Sequence, residues 1–283
     1  MSETAGRKKI ALVTGATDGV GRYVASRLAA AGYHVLVHGR DQGRGESLMR
    51  EISEAGGTAQ FYPADLSSLQ QVRDLAQAVL LTQDWLDLLI NNAGIGTTNA
   101  EGSDGREESV DGFELRFAVN YLAGFLLTQL LLPRLLASQP ARIVNVASAG
   151  QHAIDFDDLM LTRAYSGARA YCQSKLAQIL FTIDLAQQLE GSGVTVNALH
   201  PATYMNTTMV RRSGMRPISS IEEGGDAILH LALAAELDGQ SGLYFNGKRP
   251  AKAEAQAYDP SARAKLRKLS FRLVGIEDPA AAA

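Results

Sequence analysis

The sequence predicts a single α/β domain built on a doubly wound, seven-stranded parallel sheet. Short β-branched runs alternate with longer segments of helical period along most of the chain, and no Pro/Gly/Ser-rich linker interrupts the alternation. Apolar strands that alternate with helices form a parallel sheet that is covered on both faces. The alternation covers residues 6–250, and we expect a helical tail over residues 251–283.

The elements follow one another in a regular order. The predicted strands, rich in Val, Ile and Leu, lie at 10–14, 35–38, 60–63, 86–91, 142–147, 195–199 and 242–245. The predicted helices lie at 21–31, 45–55, 69–81, 112–136, 169–190 and 221–235. Long connections follow the fourth, fifth and sixth strands, at 95–111, 149–168 and 201–220. Because parallel strands end at one edge of the sheet, where such sheets bind ligands, we expect the functional site there.

The composition argues against several classes of function. With 27 basic and 30 acidic residues, the formal charge of −3 gives no electrostatic case for nucleic acid binding. The single cysteine, Cys172, excludes an intramolecular disulfide, and no His or Cys spacing indicates a metal site. The first residues lack an apolar signal segment, and the apolar runs near 122–136 and 228–235 are interrupted or too short to span a bilayer. We therefore expect a soluble, cytoplasmic protein.

A glycine-rich turn joins the first predicted strand to the first predicted helix. Glycines permit a tight turn and a close approach of the backbone to phosphate, and the helix N-terminus offers free N–H groups to the anion. A plain tight turn is the alternative, but the position between strand and helix favours nucleotide binding. The predicted contacts in this turn are Gly15, Thr17, Asp18, Gly19, Val20 and Gly21.

The end of the second predicted strand indicates which nucleotide is bound. A carboxylate there would bind the ribose 2′-hydroxyl of NAD, whereas this chain has Gly39 and Arg40. Arginine can bind a phosphate through two parallel charge-assisted hydrogen bonds. We therefore expect NADP(H) rather than NAD(H), the alternative being that Arg40 is only a solvated loop residue.

Further motifs follow in a fixed order along the chain. They are Asp65-Leu66 after the third strand, Asn91-Asn92-Ala93-Gly94 after the fourth, Asn120 in the first long helix, Ser148 after the fifth strand, and Tyr171-x3-Lys175 in the second long helix. A lone Tyr-x3-Lys arises often by chance, but five motifs in register do not. Together they resemble the short-chain dehydrogenase/reductase family over about residues 9–247.

The resemblance implies a Rossmann fold and hydride transfer between a nicotinamide cofactor and an aldehyde, a ketone or the corresponding alcohol. It implies a catalytic tetrad of Asn120, Ser148, Tyr171 and Lys175. The cofactor contacts that it implies beyond the glycine turn and Arg40 are Asp65, Leu66, Asn92, Ala93, Gly94, Tyr171, Lys175, Pro201, Thr203 and Thr207. Asp18 is a counter-signal to NADP(H), because some relatives that prefer NADP carry a basic residue there.

The spacing of Tyr171 and Lys175 places both side chains on one helix face. A nearby ammonium lowers the phenol pKa from about 10, so Tyr171 can give a proton to a carbonyl oxygen or take one from an alcohol. Ser148 would hydrogen-bond the same oxygen. The resemblance gives Lys175 a second role at the nicotinamide ribose, and it makes Asn120 the anchor of a proton-relay water.

Two segments indicate which branch of the family the chain resembles. The segments 109–114 and 154–159 resemble the retinol-dehydrogenase-like branch, which usually uses NADP(H) on apolar carbonyl compounds and alcohols. We expect no membrane anchor of the kind that many animal members carry, so a retinoid substrate is not implied. One departure is Pro201-Ala202, where relatives usually have Pro-Gly, and it leaves open whether Thr203 or Thr207 contacts the nicotinamide carboxamide.

Other functions and partners remain open at this point. A non-catalytic nucleotide sensor on the same fold is one alternative, and a C=C reductase that uses the same Tyr and Lys is another.

Segment 201–220, with Gly214, Pro217 and three methionines, is predicted to be a mobile lid.

The tail carries Leu266, Leu269 and Leu273 as an apolar stripe on a basic helix. We expect this stripe to pack on the domain or on a partner subunit rather than on a membrane. Since the family is commonly oligomeric through its two long helices, we expect a homodimer or homotetramer. The other expected partner is a small-molecule carbonyl or alcohol substrate, with no nucleic acid and no membrane.

Overall fold

The computed structural model describes residues 6–98, 103 and 105–279. Within that part of the chain, one sheet has the strand order β3-β2-β1-β4-β5-β6-β7-β8. The strands are β1 Ile10–Val13, β2 His34–Gly39, β3 Thr58–Pro63, β4 Leu88–Asn91, β5 Ala141–Val146, β6 Val194–His200, β7 Tyr244–Asn246 and β8 Arg249–Ala251. Strands β1 to β7 are parallel, which confirms the predicted doubly wound sheet. Residues 1–5, on which the expectation of no signal segment partly rests, lie outside the described residues, as do parts of the connection 95–111 and of the tail.

The sheet has one strand more than predicted. Strand β8 pairs antiparallel with β7 and places Pro250 opposite Phe245. The tight connection between them contains Gly247, whose φ of +59° favours glycine. Sequence analysis missed β8 because three residues that include a proline show no strand periodicity. Proline is tolerated there because β8 lies at the edge of the sheet.

Helices cover both faces of the sheet. The helices are α1 Gly19–Ala30, α2 Gln42–Glu54, α3 Leu69–Thr82, α4 Leu115–Phe117, α5 Ala123–Ala137, α6 Gly167–Gln188, α7 Thr208–Arg212, α8 Ile221–Leu233 and α9 Pro260–Val274. Helices α1, α2 and α8 contribute to the apolar core on one face. Helices α3, α5, α6 and α9 contribute to the core on the other face.

A long apolar helical segment lies in the second core. The segment Leu115–Ala137 comprises α4, a π-helical turn at Ala118–Leu122 and α5, and it spans 23 residues. By length and composition it is long enough to cross a membrane, so the helix is longer than the run 122–136 that was expected to be interrupted or too short. Its most apolar stretch is 67% buried within the protein, and a helix buried in a core has this composition as well.

Helix α9 folds back onto α5 and α6. The side chains of Leu266 and Val274 are 1% exposed, and the Phe271 ring lies 5.1 Å from the Phe125 ring in an edge-on arrangement. The apolar face differs from the predicted stripe, since Leu269 and Leu273 are only half-buried. Residues 262, 266, 270 and 274 recur every four positions and form the buried row instead. The tail therefore covers the outer face of the two long helices.

We expect Phe271→Ala to lower the free energy of unfolding by about 3–5 kcal/mol, because it removes a buried ring from a closely packed aromatic cluster. Urea denaturation measures the change. Leu269→Ala is the matched control, and its cost should be clearly smaller because Leu269 is only half-buried. Equal costs for the two variants would contradict the observed packing face.

Candidate active site

The glycine turn after β1 and the segment after β4 are bound together at the carboxyl edge of the sheet. The Asn92 Nδ2 group donates to the Thr14 and Gly15 carbonyl oxygens at 2.8 and 3.2 Å. The Thr14 hydroxyl accepts hydrogen bonds from the backbone N–H groups of Asn92 and Ala93 at 2.9 and 3.0 Å. Asn92 and Ala93 thus hold the glycine turn in place through Thr14 and Gly15.

Close packing explains the glycines of this turn. A Cβ on Gly21 would lie 2.2 Å from the Gly15 carbonyl oxygen, and a Cβ on Gly15 would lie 2.9 Å from the Ala93 Cα. Gly15 and Gly19 also have φ values of +63° and +53°, which favour glycine. Helix α1 begins at Gly19, whose own N–H donates to the Asp18 carboxylate, and the glycines leave no bulky side chain beside its first turn. Such a surface fits the pyrophosphate of a dinucleotide.

His38 supports the glycine turn and was missed by sequence analysis. Its Nδ1 accepts a hydrogen bond from the Gly15 N–H at 3.1 Å, and its Nε2 lies 3.1 Å from the Ala64 carbonyl oxygen. This pattern requires the neutral tautomer with the proton on Nε2. Burial lowers the His38 pKa to about 4, so the ring stays neutral at pH 7. The only available signal was a histidine inside an otherwise apolar strand.

Two arginines border the turn at the ends of β2 and α2. The Arg40 Nη1 lies 3.9 Å from the Asp65 carboxylate, and the Arg40 side chain is 70% exposed. The Arg44 Nη1 lies 3.4 Å from Asp18, whose other carboxylate oxygen accepts a hydrogen bond from the Gly19 N–H. Arg44 was not predicted, and its ion pair offsets the negative charge of Asp18. Both guanidinium groups therefore lie at the rim of the glycine turn, each beside a carboxylate.

The segment after β6 approaches the turn at Thr207. The Thr207 Cγ2 lies 3.3 Å from the position that a Cβ on Gly19 would occupy. Thr203 is held elsewhere, with its hydroxyl 3.0 Å from the His200 Nε2. Pro201 and Thr203 line a cavity of about 620 Å³ beside α8 and the β7–β8 connection. The structure therefore brings Thr207, rather than Thr203, to the glycine turn.

Backbone hydrogen bonds join the two ends of the predicted lid, segment 201–220. Met205 forms an isolated β-bridge with Ser219, and the Ile218 N–H donates to the Tyr204 carbonyl oxygen at 3.0 Å. Short helix α7 lies between these ends, and Met209 packs against Gly96 of the connection after β4. The two ends of the segment are therefore joined, and its mobility stays a prediction.

Asn120 joins three parts of the site. It lies in the π-helical turn, where its Oδ1 accepts a hydrogen bond from the Ile95 N–H at 2.7 Å. Its Nδ2 donates to the Ser174 hydroxyl on α6 at 2.9 Å. Single π-helical turns are often found at functional sites because they change the direction of side chains locally. The amide of Asn120 thus holds α6 against the connection after β4.

Tyr171, Ser148 and Lys175 come together at the start of α6 and the end of β5. The Ser148 side chain lies close enough to the Tyr171 hydroxyl to favour its ionised form, and the Lys175 Nζ lies 5.8 Å from the centre of the Tyr171 ring. The Lys175 Nζ donates to the Val146 carbonyl oxygen at 2.9 Å and to the Gln178 side chain at 3.0 Å. Gln178 was not predicted. The predicted tetrad is thus assembled, with its lysine held by β5 and by its own helix.

The electrostatics of the pair differ from the prediction. Burial raises the pKa of Tyr171, and the hydrogen bond with Ser148 offsets part of that rise. Burial also lowers the pKa of Lys175 to about 7, so its ammonium is only partly populated at neutral pH. The expectation that Lys175 lowers the Tyr171 pKa is therefore not met in this structure. Helical spacing predicted the shared face, but it carried no information about desolvation.

The family follows from comparison with known proteins. A family model described as short chain dehydrogenase matches residues 9–216. The chain therefore belongs to the short-chain dehydrogenase/reductase family, which is a family of oxidoreductases. Human retinol dehydrogenase 13 is 38% identical over 293 residues, covering 96% of this chain and 86% of that protein. Mouse retinol dehydrogenase 11 is 38% identical over 280 residues, covering 95% and 87%, so the chain falls in the retinol-dehydrogenase-like branch.

Solved structures show the same fold. The active-site complex of Pseudomonas aeruginosa RhlG with NADP has a TM-score of 0.68 and 31% identity, covering 84% of this chain and 94% of that one. A metagenomic short-chain oxidoreductase in complex with NADP has a TM-score of 0.64 and 26% identity, covering 86% and 98%. Both proteins were solved with NADP bound.

The buried Lys175 should cost stability in a pH-dependent way. The folded protein holds this lysine with a pKa of about 7, whereas the ordinary value is 10.5. Between these pH values the unfolded chain binds more protons, so the free energy of unfolding rises with pH across this window. We expect Lys175→Met to stabilise the protein by a few kcal/mol at pH 6, roughly 1.4 kcal/mol for each unit of pKa difference, and by less at pH 10.

Urea denaturation at the two pH values measures the effect of Lys175→Met. The control is Lys248→Met, which changes an exposed lysine and should give the same small difference at both pH values. A stabilisation by Lys175→Met that does not depend on pH would show that packing, rather than charge burial, is responsible.

Proposed function

We propose that this chain is an NADP(H)-dependent oxidoreductase that interconverts an aldehyde or ketone and the corresponding alcohol of an apolar small molecule. The observation that supports the proposal best is the convergence of Tyr171, Ser148 and Lys175 at the carboxyl edge of the sheet, with Lys175 next to Gly94. The bound nicotinamide would supply or accept the hydride. The retinol dehydrogenases among the relatives support an apolar carbonyl or alcohol as the substrate class.

Tyr171 is the proton donor in the direction of reduction. Its raised pKa keeps the hydroxyl protonated at neutral pH, so a proton is available for a carbonyl oxygen. Ser148 reaches the same oxygen, and the Gly150 N–H bonds its Oγ at 3.0 Å and limits its rotation. Positioned acid–base groups of this kind contribute typically about 10²–10⁴ in rate. The two hydroxyl groups therefore share the carbonyl oxygen as charge develops on it.

Lys175 and Asn120 serve proton exchange and binding. A lysine with a pKa of about 7 takes up and releases protons readily at neutral pH, and its charged form favours the Tyr171 phenolate in alcohol oxidation. The Lys175 Nζ and the Asn120 Oδ1 lie 3.4 and 3.1 Å from the position that a Cβ on Gly94 would occupy. Both polar atoms therefore border the same small space, where Asn120 would anchor a relay water. Lys175 would also bind the nicotinamide ribose.

Arg40 and Arg44 favour a 2′-phosphate over a free 2′-hydroxyl. Among residues 6–98, 103 and 105–279, Arg40 pairs only with Asp65, at the long distance of 3.9 Å, so its exposed guanidinium is free to turn toward a phosphate. The NADP complexes among the similar structures support this choice. The other cofactor contacts would come from the glycine turn, from Asp65 and Leu66, from Asn92 to Gly94, and from the segment 201–207.

We propose that the reaction takes place in the cytoplasm, with a small-molecule substrate and without a requirement for nucleic acid or membrane. A homodimer or homotetramer is part of the proposal, but α9 covers the outer face of α5 and α6. Association would therefore use a surface other than the two long helices.

We expect wild-type protein to bind NADPH more tightly than NADH, with Arg40→Ala weakening NADPH binding by about 10- to 100-fold. The reason is the loss of one charge-assisted contact with the 2′-phosphate, worth roughly 1.5–3 kcal/mol. Fluorescence titration with both cofactors measures the two affinities. Arg50→Ala, which changes an exposed arginine on α2, is the control. Tighter binding of NADH by the wild type would refute the cofactor assignment.

We expect Tyr171→Phe to lower the rate of carbonyl reduction by about 10²-fold or more while NADPH binding is kept, since only the phenolic proton is lost. Single-turnover oxidation of NADPH at 340 nm, with an apolar aldehyde or ketone as acceptor, is the measurement. Tyr62→Phe removes a buried hydroxyl that bonds Thr82 far from the site, and it should leave the rate unchanged. A near-normal rate for Tyr171→Phe would show that another group supplies the proton.

A further inference from the structure

The chain that follows Ser148 has no regular secondary structure and is held by side chains. Residues 149–156 form neither helix nor strand. The Ser148 carbonyl oxygen accepts two hydrogen bonds, one from the Tyr244 hydroxyl at 3.0 Å and one from the Gln151 Nε2 at 2.9 Å. Tyr244 belongs to β7 and is buried, so Ser148 is tied to the far edge of the sheet. We call residues 148–156 the serine loop.

A glutamine from the C-terminal tail forms hydrogen bonds with the same loop. The Ile154 N–H donates to the Gln256 Oε1 at 2.6 Å, and the Gln256 Nε2 donates to the Ile154 carbonyl oxygen at 3.1 Å. One side-chain amide thus satisfies both backbone groups of one loop residue, as a neighbouring strand would. Two residues earlier, the Glu254 N–H donates to the Gln151 Oε1 at 2.7 Å. The tail therefore holds the serine loop at two points.

The tail segment that carries Gln256 is itself fixed. Gln256 lies in a 3-10 helix at Ala255–Tyr258, in which Ala257 is fully buried. The Arg263 Nη1 donates to the Ala257 carbonyl oxygen at 3.0 Å, and Arg267 forms an ion pair with Asp184 of α6 at 3.3 Å. Helix α6 also carries Tyr171. The path from Gln256 through the tail thus returns to the helix that must face Ser148.

We infer that Gln256 is a positioning residue for the reaction, acting with Gln151 and Tyr244 to hold Ser148 against Tyr171. The inference rests on the proposed function, because it assigns to the tail the support of that same site. A reacting group must be held to within about half an ångström of its productive position, and a loop without backbone pairing cannot do this alone. Helix α6 holds the loop at Ala153 and Asp155 through Gln173 and Arg169, and the tail adds the hydrogen bonds at Gln151 and Ile154.

The test compares Gln256→Ala and Gln256→Glu with Gln240→Ala, a control at an exposed glutamine whose amide contacts the Glu236 carbonyl oxygen. Gln256→Ala should lower kcat about tenfold and leave the dissociation constant for NADPH unchanged, because Ser148 acts on the substrate oxygen and not on the cofactor. Gln240→Ala should leave both unchanged. The thermal unfolding midpoint of each variant shows whether a lower kcat comes from a displaced Ser148 or from a destabilised protein.

Gln256→Glu gives a pH signature that a merely structural residue would not give. An ionised glutamate accepts from the Ile154 N–H but has no proton for the Ile154 carbonyl oxygen, whereas a protonated glutamate can make both bonds. The kcat of this variant, divided by that of the wild type, should rise as pH falls through the pKa of the introduced carboxyl group. A ratio that does not change with pH would overturn the inference.

Hydrogen exchange at the Ile154 amide tests the same inference without an activity assay. Its N–H is bound by Gln256, so exchange should be faster in Gln256→Ala than in the wild type or in Gln240→Ala. Unchanged exchange would overturn the inference even in an active enzyme. Should the wild type reduce no carbonyl compound, the proposed function fails, and exchange at Ile154 still decides whether Gln256 holds the serine loop.

Discussion

The burial of α6 is the constraint on which the rest of the site depends. Of its 22 residues, 16 are buried, because the sheet, the π-helical turn and α9 enclose the helix. A helix enclosed in this way cannot rotate or slide without opening cavities, which are costly in closely packed protein interiors. Tyr171 and Lys175 are therefore held one turn apart at a fixed place on the carboxyl edge. The same enclosure removes the water that would keep Lys175 fully charged.

The desolvation of Lys175 favours proton exchange at the site and lowers the stability of the folded protein. A neutral residue at position 175 would suit the buried surroundings better, yet an ordinary lysine with a pKa near 10.4 would exchange protons slowly at neutral pH. Burial lowers the Lys175 pKa to about 7 and raises that of Tyr171, so the donor stays protonated while the lysine is close to its midpoint. Functional sites often depart in this way from what stability alone would favour.

Sequence periodicity predicted the parts of the fold that are determined locally. The seven parallel strands, both long helices and the meeting of the strand ends were all predictable from alternating apolar runs. Element ends were less exact, because side-chain caps decide them: Asp18 caps α1 at Gly19, and Glu114 caps the long helical segment, which begins at Leu115 rather than at residue 112. Strand β8 is too short and too proline-rich to show a period.

Contacts between distant residues were beyond sequence reasoning. His38 bonds Gly15 across 23 positions, and Gln256 bonds Ile154 across 102, with no spacing rule that connects either pair. The charge of Asp18 was recognised as a difficulty for NADP(H), but its partner Arg44 emerged only when α2 was placed beside the turn. The direction of the Tyr171 pKa shift was mispredicted for a related reason, since burial is a property of the assembled core and not of the motif.

Carbonyl reduction is tested most directly by the consumption of NADPH by the unmodified protein against a panel of apolar aldehydes and ketones, followed at 340 nm. We expect oxidation of NADPH with at least one member of the panel, and formation of the matching alcohol. Tight binding of NADPH without oxidation by any carbonyl compound would contradict it and would favour a nucleotide sensor built on the same fold.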